Sequence, residues 1–134
     1  MKLLKIIKDK KLPLNQSGLR IREASRAVLF DKNGLIPLLF VAKYNYHKLP
    51  GGIAKHEDRI RALVREIIEE VGSKIEVSSN LGKIIEYHSK FNLKQTSYCY
   101  LGKIISKGKP NFTKKEANHG FKLIWLPLNR QLIN

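Results

Sequence analysis

The chain has 134 residues, 43% hydrophobic and 28% charged, an ordinary balance for one soluble domain with its own core. No apolar run reaches the roughly 20 residues that a membrane-spanning helix needs, and the lone Cys99 excludes a disulfide framework or a zinc-type cysteine set. Lys and Arg number 26 against 11 Asp and Glu, a net charge of +15 that would draw anions: nucleotides, RNA or acidic surfaces.

The first 17 residues read as a basic amino-terminal arm or a short strand before Lys10. Lys5 and Lys8 break the apolar run, and no small-residue cleavage site follows, so a cytoplasmic location is expected. LRIREASRAVLF (19–30) reads as a strand, with Arg20, Arg22, Ala24, Arg26 and Val28 on one parity. Asp31-Lys32-Asn33-Gly34 predicts a hairpin turn, since Asn-Gly readily adopts positive φ. LIPLLFVAK (35–43) predicts the next strand, and YNYHKLPGG a loop. From about Glu57 to Val71 the chain predicts a helix. Ile60, Leu63, Val64, Ile67, Ile68 and Val71 repeat at helical spacing, and Gly72 suits a left-handed stop. Strands are then expected at 75–77, 81–89 and 95–105, a turn at Gly108-Lys109-Pro110, and a polar loop or helical turn at 114–120. A last strand is expected at 121–128. No repeat or long linker divides the 134 residues, so a single α+β domain with a mixed or antiparallel sheet and one central helix is expected.

The helix carries the chemistry. Five of the 11 acids (Glu57, Asp58, Glu66, Glu69, Glu70) fall within 14 residues. At about 100° per residue, Glu66, Glu69 and Glu70 share an arc of roughly 100° at the rim of the apolar face. Like charges at these spacings cost a few tenths of a kcal/mol per pair, and the helix dipole opposes anions near the C-terminus. A hard divalent cation would reverse both costs. A solvated acidic face held by Arg and Lys is the alternative. Gly51-Gly52 would let the backbone turn tightly and present a carbonyl to a metal. Arg65 could orient a carboxylate, and Glu57 could fold against Arg65 or reach the metal through water.

Gly51, Glu57, Arg65-Glu66, Glu69-Glu70 and Gly72 stand at the spacing G-x5-E-x7-R-E-U-x-E-E-x-G-U, with U aliphatic. The chain therefore resembles the Nudix hydrolases, with Ser73 in the last aliphatic place. Its Pro-Gly-Gly loop is one residue shorter than in many members, and His56 stands where a glycine often precedes the glutamate. The resemblance implies a Nudix-type α/β/α sandwich with a mixed sheet and a central catalytic helix. It also implies hydrolysis of a nucleoside diphosphate linked to another moiety. Glu66, Glu69 and Glu70 would bind Mg²⁺ (or Mn²⁺), assisted by the Gly51 carbonyl, with Glu57 supporting the metal shell and Arg65 holding the glutamates. Members take their general base from the box or from a loop near the last strand. Glu116, the only acid after Glu86, is the loop candidate here.

Tyr44, Tyr46 and His47 precede the glycine turn and could stack on a base. Arg22 and Arg26 could meet phosphates. Phe91, Tyr98 and Tyr100 read as core or sheet-face residues, His88 and His119 as structural, and Cys99 as buried. The leading expectation is a Mg²⁺-dependent pyrophosphohydrolase acting on a nucleoside triphosphate, an oxidised dNTP or a nucleotide sugar, as a monomer or homodimer. Its rivals are an RNA 5′-end pyrophosphohydrolase and a catalytically silent nucleotide- or RNA-binding module.

Overall fold

A computed structural model describes residues 1–8, 17–53 and 58–128, apart from the side chain of Lys90. In chain order these form β1 (Leu3–Lys8), β2 (Arg20–Phe30), β3 (Leu35–Val41), β4 (Tyr46–Lys48), β5 (Gly51–Ile53), α1 (Arg59–Glu70), β6 (Lys74–His88), β7 (Leu93–Ser106), α2 (Lys114–Asn118) and β8 (Phe121–Pro127). The strands make two sheets. One is mixed, in the order β1-β6-β7-β2-β5, with β1 parallel to β6 and β7 parallel to β2. The other, β4-β3-β8, is antiparallel. This is the α+β architecture expected. Among the described residues, its α-helical part consists of α1 and the five-residue α2.

The turn at 31–34 forms as expected. Asp31 Oδ1 accepts the N–H groups of Asn33 (2.8 Å) and Leu35 (2.9 Å), and Gly34 takes φ +78°. It does not make a hairpin, however. β2 lies between β7 and β5 instead, and β3 pairs in the other sheet. The strand expected at 35–43 ends at Val41 and gives way to a 3-10 turn at Ala42–Tyr44, and the stretch expected as a loop contains the short strands β4 and β5. The two strands expected at 75–77 and 81–89 are one strand, β6, bent by register shifts at Lys74/Ile75, Val77/Ser79 and Asn80/Gly82. Each shift lets the strand bend without leaving β7.

Helix α1 is capped by Asp58, whose Oδ1 accepts the Arg61 N–H at 2.9 Å. It stops at Gly72 (φ +69°), whose N–H is shared by the Ile67 and Ile68 carbonyls. Leu63, Ile67 and Val71 pack against Ala27 and Leu29 of β2 and Tyr100 of β7. Leu123 and Trp125 of β8 flank this cluster, so the helix ties both sheets into one core. Full burial of each of these aliphatic side chains stabilises by about 1.5–3 kcal/mol.

The buried face is rotated from the one the apolar spacing suggests. Ile60 and Ile68 are exposed, at 39% and 52%, while Ala62 and Glu70 lie inside. The acids therefore do not all sit at the rim, since Glu70 is part of the packed face. Phe91 is likewise exposed rather than in the core, whereas Tyr100 and Cys99 are buried as expected.

Candidate active site

The two glycines position the site by lacking side chains. Gly51 pairs with Arg26 in the β2–β5 ladder at φ +138°, and a Cβ there would lie 1.9 Å from the Ser25 carbonyl oxygen. A Cβ on Gly52 would lie 2.5 Å from Glu66 Cδ. Only a bare backbone lets β5 fit between β2 and the last turns of α1.

That fit brings Gly51 against Glu70. The Gly51 N–H donates to Glu70 Oε1 at 2.9 Å, and Lys48 Nζ lies 3.6 Å from Oε2. The Glu70 side chain is 1% exposed. Burial pushes its carboxyl up to about 8 and the neighbouring Glu116 pushes the same way, against the Lys48 charge and the Gly51 N–H. Glu69 is pushed up to about 7, first by burial and then by the charges of Glu116 and Glu66. Arg65 Nη1 donates to Glu66 Oε1 at 2.8 Å. Glu57 lies outside the described residues.

Glu116 arrives from a distant part of the chain. Thr113 and Glu116 form a capping box that starts α2. The segment before it is docked on the end of α1, where Asn111 N–H donates to the Glu69 carbonyl at 2.7 Å. Gly72 lies flat against Lys109, so that a Cβ would meet the Lys109 carbonyl carbon at 2.2 Å. As a result, carboxylate oxygens of Glu66, Glu69 and Glu116 lie within 4.8 Å of one another, and Glu116 also hydrogen-bonds Glu70. An all-oxygen, multiply charged donor set of this kind suits a hard divalent cation such as Mg²⁺ or Mn²⁺.

Beside the cluster lies a cavity of about 470 Å³ between the two sheets. Its lining includes Arg22, Arg26, Tyr46 and His47, four of the five residues expected to read the substrate. Tyr44 does not line it. Its ring sits edge-on to His119 at 5.5 Å, since the 3-10 turn faces α2. Arg26 is engaged locally, with Nη1 donating to the carbonyls of Gly51 (3.0 Å) and Leu49 (3.5 Å). The Gly51 carbonyl, expected near a metal, is thus held by a guanidinium. Arg22 Nε donates to Gln95 Oε1 at 2.8 Å, and burial beside Arg20 and Arg26 lowers its pKa. The lining residues that went unread in the sequence include Lys48, Glu86 and Gln95. Gln95 pairs across the ladders with both Arg22 and Glu86, so the three form one row on the cavity floor. His88, expected to be structural, contacts Glu86 at 3.0 Å and also lines the cavity. Nothing in the local sequence distinguishes Lys48 from the other basic residues, because its role depends on packing against α1.

The NUDIX domain family matches residues 20–132. The chain belongs to the Nudix family. Membership implies pyrophosphate hydrolysis. Solved structures with the same fold include a MutT protein from Methanosarcina mazei Go1 (18% identity, TM-score 0.69, covering 87% of this chain and 84% of that one). A Nudix hydrolase from Nitrosomonas europaea has 16% identity and TM-score 0.66, covering 81% of this chain and 73% of that one. A MutT Nudix hydrolase from Burkholderia pseudomallei has 21% identity and TM-score 0.64, covering 84% of this chain and 92% of that one. No curated protein matches by sequence. The Nudix box therefore accounts for the acid-rich end of α1, and the strap from β7 to α2 adds Glu116 to it.

Proposed function

We propose that this Nudix protein is a divalent-metal-dependent pyrophosphohydrolase of a nucleoside diphosphate-linked substrate: a nucleoside triphosphate, an oxidised dNTP or a nucleotide sugar. The observation that carries the reading is the convergence of Glu66, Glu69 and Glu116 oxygens within 4.8 Å beside a basic cavity. Glu66 and Glu69 would hold Mg²⁺, or Mn²⁺ in its place, with Glu70 supporting them from the buried side and Glu57 assisting. When bound, the cation polarises the phosphate, lowers the pKa of the attacking water and neutralises developing charge. Arg65 keeps the Glu66 carboxylate aimed at the cluster. Glu116 comes to the cluster from α2 rather than from the box helix, and would take the proton of the attacking water. Arg22, Arg26, Tyr46 and His47 would receive the rest of the nucleotide.

The net charge of +15 favours a second reading, removal of pyrophosphate from RNA 5′ ends. Binding to single-stranded RNA would then fall steeply with salt. A silent binding module is the weaker alternative, because binding alone does not need every box acid.

The test is a substrate panel of nucleotides and 5′-triphosphorylated RNA with Mg²⁺ or Mn²⁺, run on the protein and on the Glu69→Gln, Glu70→Gln double variant. Metal-dependent turnover that collapses in the variant supports the reading. No turnover on any member removes it, and unchanged turnover in the variant removes the assigned roles.

A further inference from the structure

Among the described residues, Lys48 is the one side chain that both lines the cavity and pairs with a box glutamate. It ends β4 in the three-stranded sheet, and its ammonium crosses to the other sheet's side of the site. Nζ stands 3.6 Å from Glu70 Oε2, too far for a hydrogen bond, and 4.9 Å from the Phe121 ring centroid. The side chain is only 21% exposed. An ammonium has three N–H donors and is strongly hydrated in water. Here it is largely desolvated: Glu70 is its one ion pair, Glu116 and Glu66 act on it from farther off, one aromatic face lies beside it, and it has no hydrogen-bond acceptor among the described residues. Such a group is placed to gain from an oxyanion.

Its position says which oxyanion. Nζ pairs with Glu70, whose carboxyl Glu116 of the cluster hydrogen-bonds, and Lys48 lines the cavity together with Arg22 and Arg26. A diphosphate spanning from the carboxylate cluster to the cavity must pass this ammonium. Arg26 is less free for the task, because its Nη1 already serves two carbonyls.

We propose that Lys48 is a phosphate-binding residue of the substrate site, contacting the phosphate on the cavity side of the bond to be cleaved. This rests on the pyrophosphohydrolase reading above. The competing role is that of a counter-charge for Glu70 alone, and the two roles separate once Glu70 is neutralised.

The experiment is calorimetric titration of inorganic pyrophosphate into metal-free protein at fixed ionic strength, comparing Glu70→Gln with Lys48→Met, Glu70→Gln. Removing both charges together leaves no unpaired buried ion, so the double variant should fold; thermal melting checks this. The double variant is expected to bind pyrophosphate about tenfold or more weakly than Glu70→Gln, the size of one charge-assisted hydrogen bond. Lys48→Arg, Glu70→Gln is expected to recover most of the loss. In the otherwise native chain, Lys48→Met should raise KM for the best panel substrate even at Mn²⁺ concentrations that electron paramagnetic resonance shows to be saturating.

Equal pyrophosphate affinity with and without Lys48 overturns the proposal, as does undetectable binding to both. So does a Lys48→Met effect confined to Mn²⁺ affinity. Binding is measured without turnover, so the two readings fail separately. A protein that binds pyrophosphate through Lys48 but hydrolyses nothing loses the hydrolase reading only. One that turns over substrate with unchanged pyrophosphate binding loses only the Lys48 assignment.

Discussion

The N–H of Gly51 donates to Glu70 Oε1 across 2.9 Å, joining the glycine strand to the last turn of the box helix. The carbonyl of the same residue accepts from Arg26 at 3.0 Å. One glycine thereby orients a buried carboxylate on one side and an arginine of the cavity on the other. A side chain at this position would push β5 off β2 and break both contacts.

The two glycines should therefore fail in different ways. Gly51→Ala combines a positive φ with a backbone clash at 1.9 Å, and is expected to cost about 3 kcal/mol or more of stability. Gly52→Ala meets a side chain, Glu66 Cδ at 2.5 Å, which can move aside. It should melt close to the unmodified protein yet bind Mn²⁺ at least about tenfold more weakly, because Glu66 loses its place. Thermal melts and Mn²⁺ titrations of the two variants check this pair; a Gly52→Ala protein with normal metal affinity would contradict it.

Metal affinity should rise with pH. Glu69 and Glu70 are pushed up to about 7 and about 8, chiefly by burial, so both hold protons at pH 6 that a cation must displace. Mn²⁺ affinity is expected to increase by at least about tenfold between pH 6 and pH 8, with proton release on binding. For the metal-free protein the sign reverses. Carboxyls whose folded pKa is raised stabilise fully below their unfolded value of about 4.3, and that stability is lost as pH rises through the folded values. The melting temperature without metal should therefore fall between about pH 5 and pH 8, and Glu69→Gln, Glu70→Gln should flatten the decline. Calorimetry in two buffers of different ionisation enthalpy measures the proton release directly.

Glu116→Gln separates chemistry from structure. Glutamine serves at the third position of a capping box, so the start of α2 survives the change. The melting temperature should hold or rise slightly, because a like charge leaves the cluster. If Glu116 takes the proton of the attacking water, kcat falls by about a hundredfold or more. A fall below tenfold would return that role to a glutamate of the helix.

The rotated helix face gives a test of packing. Ile67 is fully buried, whereas Ile68 is 52% exposed. Ile67→Ala should cost about 2–5 kcal/mol and Ile68→Ala less than about 1 kcal/mol. Denaturant unfolding of the two variants measures the difference.

Much of this was legible in the sequence because it depends on near neighbours. Asp58 and Gly72 bound the helix through its own backbone. The box spacing places Glu66, Glu69 and Glu70 within one turn whatever surrounds them. Asn33-Gly34 makes its turn through the Asp31 carboxylate two residues away.

Whatever needed long-range contact had to wait for the tertiary structure. The apolar repeat on α1 is wide enough to bury either of two overlapping arcs, and the sheets chose the one that takes in Glu70 and leaves Ile60 and Ile68 outside. The 31–34 turn could not say that β2 lies between β7 and β5. Glu116 reaches the helix acids only because the strap docks Asn111 on the Glu69 carbonyl and Lys109 on Gly72. Lys48 is one basic residue among 26 until packing strips its water and sets it between a buried glutamate and a cavity. Helix caps, turns and motif spacing act over a few residues, so composition and order suffice for them. Burial, charge pairing and pKa depend on which distant surfaces meet, and only the folded chain decides that.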